Sequence, residues 1–110
     1  MRIKKNLLAL LLCLVSINAF ADGNYAAGKT KAYTCTGCHG IVGYNNTYPT
    51  YRVPRIGGQN KEYLVIALQG FRSGERKHSN MNLQAEALSD QDIEDIAVYL
   101  EAQTNNPGAE

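Results

Sequence analysis

Two thiols flank two compact residues, and an imidazole follows at once, in the stretch Cys35–Thr36–Gly37–Cys38–His39. That spacing fits covalent haem attachment. The thiols can add across the two vinyl groups of a haem, and His39 is then held where its imidazole reaches the iron. Other chemistries also use close-spaced cysteines. In an exported protein Cys35 and Cys38 meet oxidants and can form a structural disulfide. The pair is also a redox-dithiol signature, but a thioredoxin-like protein needs a βαβ pattern around it, and none is present. A zinc site needs four ligands, and His78 is the one further His or Cys outside the N-terminal leader. The motif favours haem first, a disulfide or dithiol next, and zinc last.

The chain has 110 residues, enough for one domain. Residues 1–21 read as a leader outside that domain. Arg2, Lys4 and Lys5 give a basic start, and Leu7 to Ile17 is an apolar run too short to span a bilayer comfortably. Ala19–Phe20–Ala21 sets small residues where a signal peptidase reads them, so cleavage is expected after Ala21. A retained N-terminal anchor is the alternative. Cys13 suggests a lipoprotein, but bulky Leu12 precedes it where a small residue is expected. Residues 22–110 form the expected domain. Losing the three basic residues of the leader leaves eight basic against ten acidic, a net charge of −2. Nucleic-acid binding needs a basic stripe, and none is present. So small a domain buries a limited core, and a covalent cofactor can supply its centre.

Helical patterns surround the motif. Asp22 is a candidate N-cap for a first helix running to about Tyr33, favoured by Ala26, Ala27 and Ala32. Gly40 to Gly58 reads as a loop rich in glycine, proline and asparagine. A loop this long in a small domain usually wraps something. Tyr44, Tyr48 and Tyr51 lie in it and suit the rim of a buried apolar ligand. Asn60 can cap a second helix from Lys61 to about Arg72, with Leu64, Leu68 and Phe71 on one face and Gly74 at its end. A polar stretch to Asn80 follows, then Met81 and a short helix through Ala87. Ser89 opens the last helix, with Asp92 in a box-like start and Ile93, Ile96, Ala97 and Leu100 repeating on one face. Asn105 to Glu110 reads as a frayed tail. The chain has no convincing strands and no repeats.

These stretches resemble the class I cytochromes c, of the small bacterial periplasmic monohaem kind. The resemblance covers nearly all of the chain beyond the leader. It runs through Cys35–Thr36–Gly37–Cys38–His39–Gly40, Pro54–Arg55–Ile56–Gly57–Gly58–Gln59, Tyr63–Leu64, and Phe71–Arg72–Ser73–Gly74–Glu75–Arg76. It continues through Met81, Leu88–Ser89–Asp90–Gln91–Asp92–Ile93 and Ala97–Val98–Tyr99–Leu100. It implies an all-α cytochrome c fold of three main helices and a short one, with long loops, wrapped around one covalent haem c. It makes Cys35 and Cys38 the thioether positions and His39 the proximal iron ligand. It makes Pro54 the residue whose carbonyl accepts the His39 Nδ1–H, and Met81 the distal ligand. Gly28 and Tyr99 match the residues where the first and last helices cross. The loop around Tyr44 to Arg55 would supply propionate contacts.

The function this implies is single-electron transport between redox partner proteins in the periplasm, without catalysis of its own. Histidine and methionine ligation supports a high potential and fills both axial positions. The alternative is a dedicated haem subunit docked on a periplasmic dehydrogenase or oxidase complex. A haem enzyme or gas sensor with an open distal site is disfavoured by Met81. After leader cleavage no stable membrane insertion is expected. His78 also lies near enough in sequence to compete for iron, but its polar surroundings read as solvent-facing.

The motif makes a direct prediction. Denatured protein, expressed with haem-maturation machinery, keeps its red colour and carries the mass of one haem. Colour lost on acid–organic extraction would contradict covalent attachment. Replacing Cys35 and Cys38 together by Ala prevents attachment and leaves the chain poorly folded.

Overall fold

A computed structural model describes residues 22–40 and 53–104. The leader, the loop tyrosines Tyr44, Tyr48 and Tyr51, and the tail from Asn105 lie outside the described residues. Five helices follow in order: α1 (Tyr25–Lys31), α2 (Tyr33–His39), α3 (Lys61–Ser73), α4 (Ser79–Glu86) and α5 (Asp90–Glu101). Among the described residues there is no strand, and no helix is long and apolar enough to cross a membrane.

The first helix differs from expectation at both ends. Its N-cap is Asn24, not Asp22: the Asn24 side chain accepts the Ala27 N–H at 2.9 Å. The choice between the two is tertiary, because the Asn24 N–H also donates to Asp95 Oδ1 on α5 at 2.7 Å. The helix then breaks at Ala32, whose ψ of −1° departs from helical geometry. The haem-type motif therefore lies inside a helix of its own, α2. The other start signals act locally and match their sequence patterns. Asn60 accepts the Tyr63 N–H, and Gly74 closes α3 with a φ of 81°. Ser89 and Asp92 form a reciprocal capping box at the start of α5.

α5 is the central element. It packs across α1 on one side and α3 on the other. Ile93, Ile96, Ala97, Tyr99 and Leu100 are buried along it. Ala32, Leu64, Ile96, Ala97, Tyr99 and Leu100 form the core cluster, with Cys35, Ile56, Val65, Leu68 and Leu88 packed around it. Fully burying a side chain such as Ile96 or Leu100 contributes about 1.5–3 kcal/mol.

The α1–α5 crossing is close enough to require glycine. A Cβ at Gly28 would lie 2.7 Å from the Asp95 carbonyl carbon and 2.8 Å from Tyr99 Cβ, and closer still to the Asp95 oxygen. Gly23 makes a second close approach, with a Cβ there falling 2.6 Å from the Glu94 carbonyl carbon. The expected Gly28–Tyr99 contact is present. Tyr25 adds to it, its ring 5.2 Å from the Tyr99 ring.

Polar contacts lock the same crossing. Asp95 is 3% exposed, although it lies away from the Ile93, Ile96, Ala97 and Leu100 stripe of α5. It accepts from the Asn24 N–H, from Gln91 Nε2 at 2.9 Å and from Lys31 Nζ at 2.5 Å. Lys31 also meets Asp92 at 2.8 Å. Burial alone would raise the Asp95 pKa, but the hydrogen bonds from Asn24, Lys31 and Gln91 outweigh it and hold it below the usual carboxylate range. The Lys31 ammonium, with the Ser89 N–H and hydroxyl, lowers Asp92 from 3.8 to about 2. On the other flank Arg72 of α3 pairs with Asp90 at 2.5 Å and donates to the Leu88 carbonyl at 3.1 Å.

Two predictions follow from the crossing. Gly28→Val forces a side chain into α5 backbone, so it destabilises by at least the roughly 1–3 kcal/mol of ordinary overpacking. A melting temperature equal to wild type would show that the crossing is looser than described. The second concerns acid. Asp92 and Asp95 have folded pKa values below their unfolded ones, so their stabilisation is present above the unfolded range and is lost on acidification, for Asp92 as pH falls towards 2. Lys31→Met removes the main cause at Asp92, so urea titrations should give that variant a flatter loss of stability between about pH 4 and 2.

Candidate haem site

Helix α2 presents the motif. Cys35 and Cys38 stand three residues apart, so both project from one side of the helix. Both are reduced thiols. Cys35 is half-buried against the core cluster, and burial pushes its thiol pKa up; Cys38 is exposed. Thr36 closes its hydroxyl onto the Tyr33 carbonyl at 2.8 Å, keeping its polar group within the helix. The helix stops directly after His39. Gly40 caps it with a φ of 63° and ψ of 161°, a conformation glycine alone adopts easily, and donates its N–H to the Thr36 carbonyl.

His39 Nδ1 lies 2.8 Å from the Pro54 carbonyl oxygen. A carbonyl can only accept, so Nδ1 carries the proton and Nε2 holds the lone pair that can bind a metal. The Pro54 segment is itself fixed. Ile56 packs on the core, and the Gly58 N–H donates to the Leu100 carbonyl at 2.8 Å, at the C-terminal end of α5. The histidine orientation is thus referred back to the central helix through a short run of backbone.

Met81 comes from a separate element. It is half-buried in the first turn of α4, which begins at Ser79, earlier than the sequence pattern indicates. The reason is His78. It is exposed, as expected, but it is the N-cap of α4, its Nδ1 accepting the Met81 N–H at 3.4 Å. Among the described residues α2 packs against no helix but α1, and α4 against none but α3. The structure therefore brings His39 to Pro54 and Cys35 to the core, while Met81 is presented by its own arm.

The sequence reading missed Asn82. Its side chain joins the end of α3 to the turn before α4. A lone asparagine in a short helix carries no signal of such contacts. Gly23 and Asp95 were also missed, because their partners are distant in sequence.

The donors fit a haem. Two thiols on one helix side suit addition to the haem vinyl groups, and an imidazole, its tautomer fixed by a carbonyl, and a thioether are neutral donors of the kind haem iron takes. Among the described residues no three His, Cys, Asp or Glu side chains converge as a metal site. The donor chemistry and the helical scaffold together define an all-α protein built for covalent haem.

Comparison with known proteins agrees. The cytochrome c family model matches residues 25–104. The chain is 37% identical to cytochrome c4 of Stutzerimonas stutzeri, over 94% of this chain and 53% of that protein. It is 42% identical to cytochrome c-554(548) of Halomonas halodenitrificans, over 74% of this chain and 98% of that protein. The crystal structure of reduced recombinant cytochrome c4 from Pseudomonas stutzeri matches with a TM-score of 0.62 at 36% identity, covering 74% of this chain and 46% of that one. The chain spans about half the length of the cytochromes c4 and nearly all of the c-554(548). The chain belongs to the cytochrome c family, as a bacterial class I member that carries haem c covalently.

Proposed function

We propose that this chain is an exported single-electron shuttle whose haem iron is bound by His39 Nε2 on one face and Met81 Sδ on the other. The observation that carries the reading is the 2.8 Å approach of His39 Nδ1 to the Pro54 carbonyl, directly after Cys38. It leaves Nε2 as the basic nitrogen and fixes the plane of the ring. The haem, when bound, supplies a one-electron iron couple. The residues around it do the rest. Cys35 and Cys38 anchor the macrocycle through thioether bonds to one side of α2. His39, its Nδ1–H held by the Pro54 carbonyl, would bind the iron through Nε2, and Met81 would offer a neutral, soft donor that favours the reduced state.

With His39 and Met81 both holding the iron, it would offer no position for a substrate, so the chemistry it would supply is electron transfer. Residues 1–21 act as a signal peptide removed after Ala21, residues 22–110 form the cytochrome domain, and the mature chain works in the periplasm. Its partners are redox proteins that give and take electrons, with no nucleic acid involved and no lasting membrane insertion. Its mature net charge of −2, made more negative by haem propionates, favours partners that present a basic face.

Two substitutions test the distal side. The oxidised wild type shows the weak long-wavelength sulfur-to-iron absorption band. Met81→Ala abolishes it, lowers the potential and opens the iron to added ligands. His78→Ala keeps the band and the potential and loses helix-cap stability of about 1 kcal/mol or less. If the band is absent in wild type and His78→Ala changes the iron spin state, the haem is bis-histidine and Met81 serves only packing.

A further inference from the structure

We propose that Asn82 is the positioning residue that sets how Met81 is presented to the iron. The inference rests on the reading of Met81 as the distal ligand and concerns what holds that ligand in place. After α3 ends at Ser73 the chain reverses through residues 74–78 and re-enters as α4, whose first turn carries both Met81 and Asn82. The Asn82 carboxamide spans that reversal. Nδ2 donates to the Phe71 carbonyl at 2.8 Å and to the Arg76 carbonyl at 2.9 Å. Oδ1 accepts the His78 N–H at 2.9 Å, and the Asn82 N–H donates to the His78 carbonyl at 2.8 Å. Two carbonyls can only accept and one amide N–H can only donate, so the orientation of the carboxamide is uniquely determined. Both of its donor hydrogens are used.

Three separate points are thereby tied together: the last turn of α3, the middle of the reversal, and the cap of α4. Arg76 supports the same turn from its other side. Its N–H donates to the Gly70 carbonyl at 3.0 Å, and its guanidinium lies 4.8 Å from the centre of the Phe71 ring. Ala85 is the one buried residue of α4, and that helix rests on α3 alone among the described residues. The backbone next to Asn82 in the chain is that of Met81. Its position relative to α3 is therefore set by this amide clasp together with the packing of α4 on α3.

A looser clasp lets Met81 leave the iron more often. An added ligand such as imidazole then binds more tightly by the same factor by which Met81 dissociation is favoured. The test uses the full haem-loaded protein, with Asn82→Ala, Asn82→Asp and Asn60→Ala. Asn60 caps the opposite end of α3 through one bond to the Tyr63 N–H, so its loss reports helix stability alone. Asn82→Asp keeps the shape and the Oδ1 acceptor but sets an oxygen against two carbonyls, and it serves should Asn82→Ala fail to fold. Thermal melting, the sulfur-to-iron band and imidazole affinity are measured for each. Asn82→Ala and Asn82→Asp are expected to bind imidazole about tenfold more tightly and to lose the band on milder heating than the main unfolding step. Asn60→Ala melts earlier, with imidazole affinity within roughly twofold of wild type.

If the wild type has the band but the Asn82 variants change imidazole affinity no more than Asn60→Ala, Asn82 only stabilises the fold and the inference is overturned. If the wild type lacks the band and Met81→Ala is spectrally silent, the ligand assignment itself fails and takes this inference with it.

Discussion

The close crossing of α1 over α5 is the constraint on which the other features depend. It exists because Gly23 and Gly28 put no Cβ between the two backbones. Once α1 lies that near, Asn24 and Lys31 reach Asp95, and the Tyr25 and Tyr99 rings meet. Ala32, at the end of α1, is then buried in the core cluster with Ile96 and Leu100. The chain leaves Ala32 directly into α2, so the crossing also decides where Cys35, Cys38 and His39 are presented. Separating α1 from α5 by the width of one methyl group would move the haem motif relative to the Pro54 carbonyl.

The molecule divides into a packed frame of α1, α3 and α5 and two arms, α2 and α4, that carry the proposed iron donors. Each arm is held by polar contacts with backbone. His39 is aligned by the Pro54 carbonyl, and the turn before Met81 is held by Asn82 and capped by His78. Buried apolar surface is nondirectional and tolerates sliding. Hydrogen bonds to fixed carbonyls set angles, and an electron carrier needs its donors at one geometry in both oxidation states. The division of labour therefore suits the function: the core supplies stability, and the polar contacts supply orientation.

What could be read from sequence was what is local. The Ser89–Asp92 box, the Asn60 cap and the Gly74 stop all act within three or four residues, and each matches its pattern. The Cys35–Cys38–His39 spacing carried the chemistry for the same reason. Asp22 and Asn24 are both good caps, and only the contact of the Asn24 N–H with Asp95, 71 positions away, selects between them. Asp95 lies off the apolar stripe, where sequence alone assigns a charged residue to solvent. Its partner Lys31 is 64 positions distant, and no periodicity can reveal such a pair. His78 sits in a polar stretch that composition assigns to solvent, and Asn82 in the short helix that follows it. Their role depends on a chain reversal that brings Phe71 beside Asn82, which is a property of the fold and not of the stretch.

The central claim is that one haem lies between His39 and Met81, and proton NMR of the reduced, haem-loaded protein tests it most directly. The chain contains two methionines, Met1 in the leader and Met81, so the assignment is simple. A side chain bound over the face of a porphyrin is strongly shielded by the ring current. The account predicts a Met81 methyl signal shifted far upfield, together with one shielded imidazole belonging to His39. A Met81 methyl signal in its ordinary position, with a second shielded imidazole from His78, would contradict it.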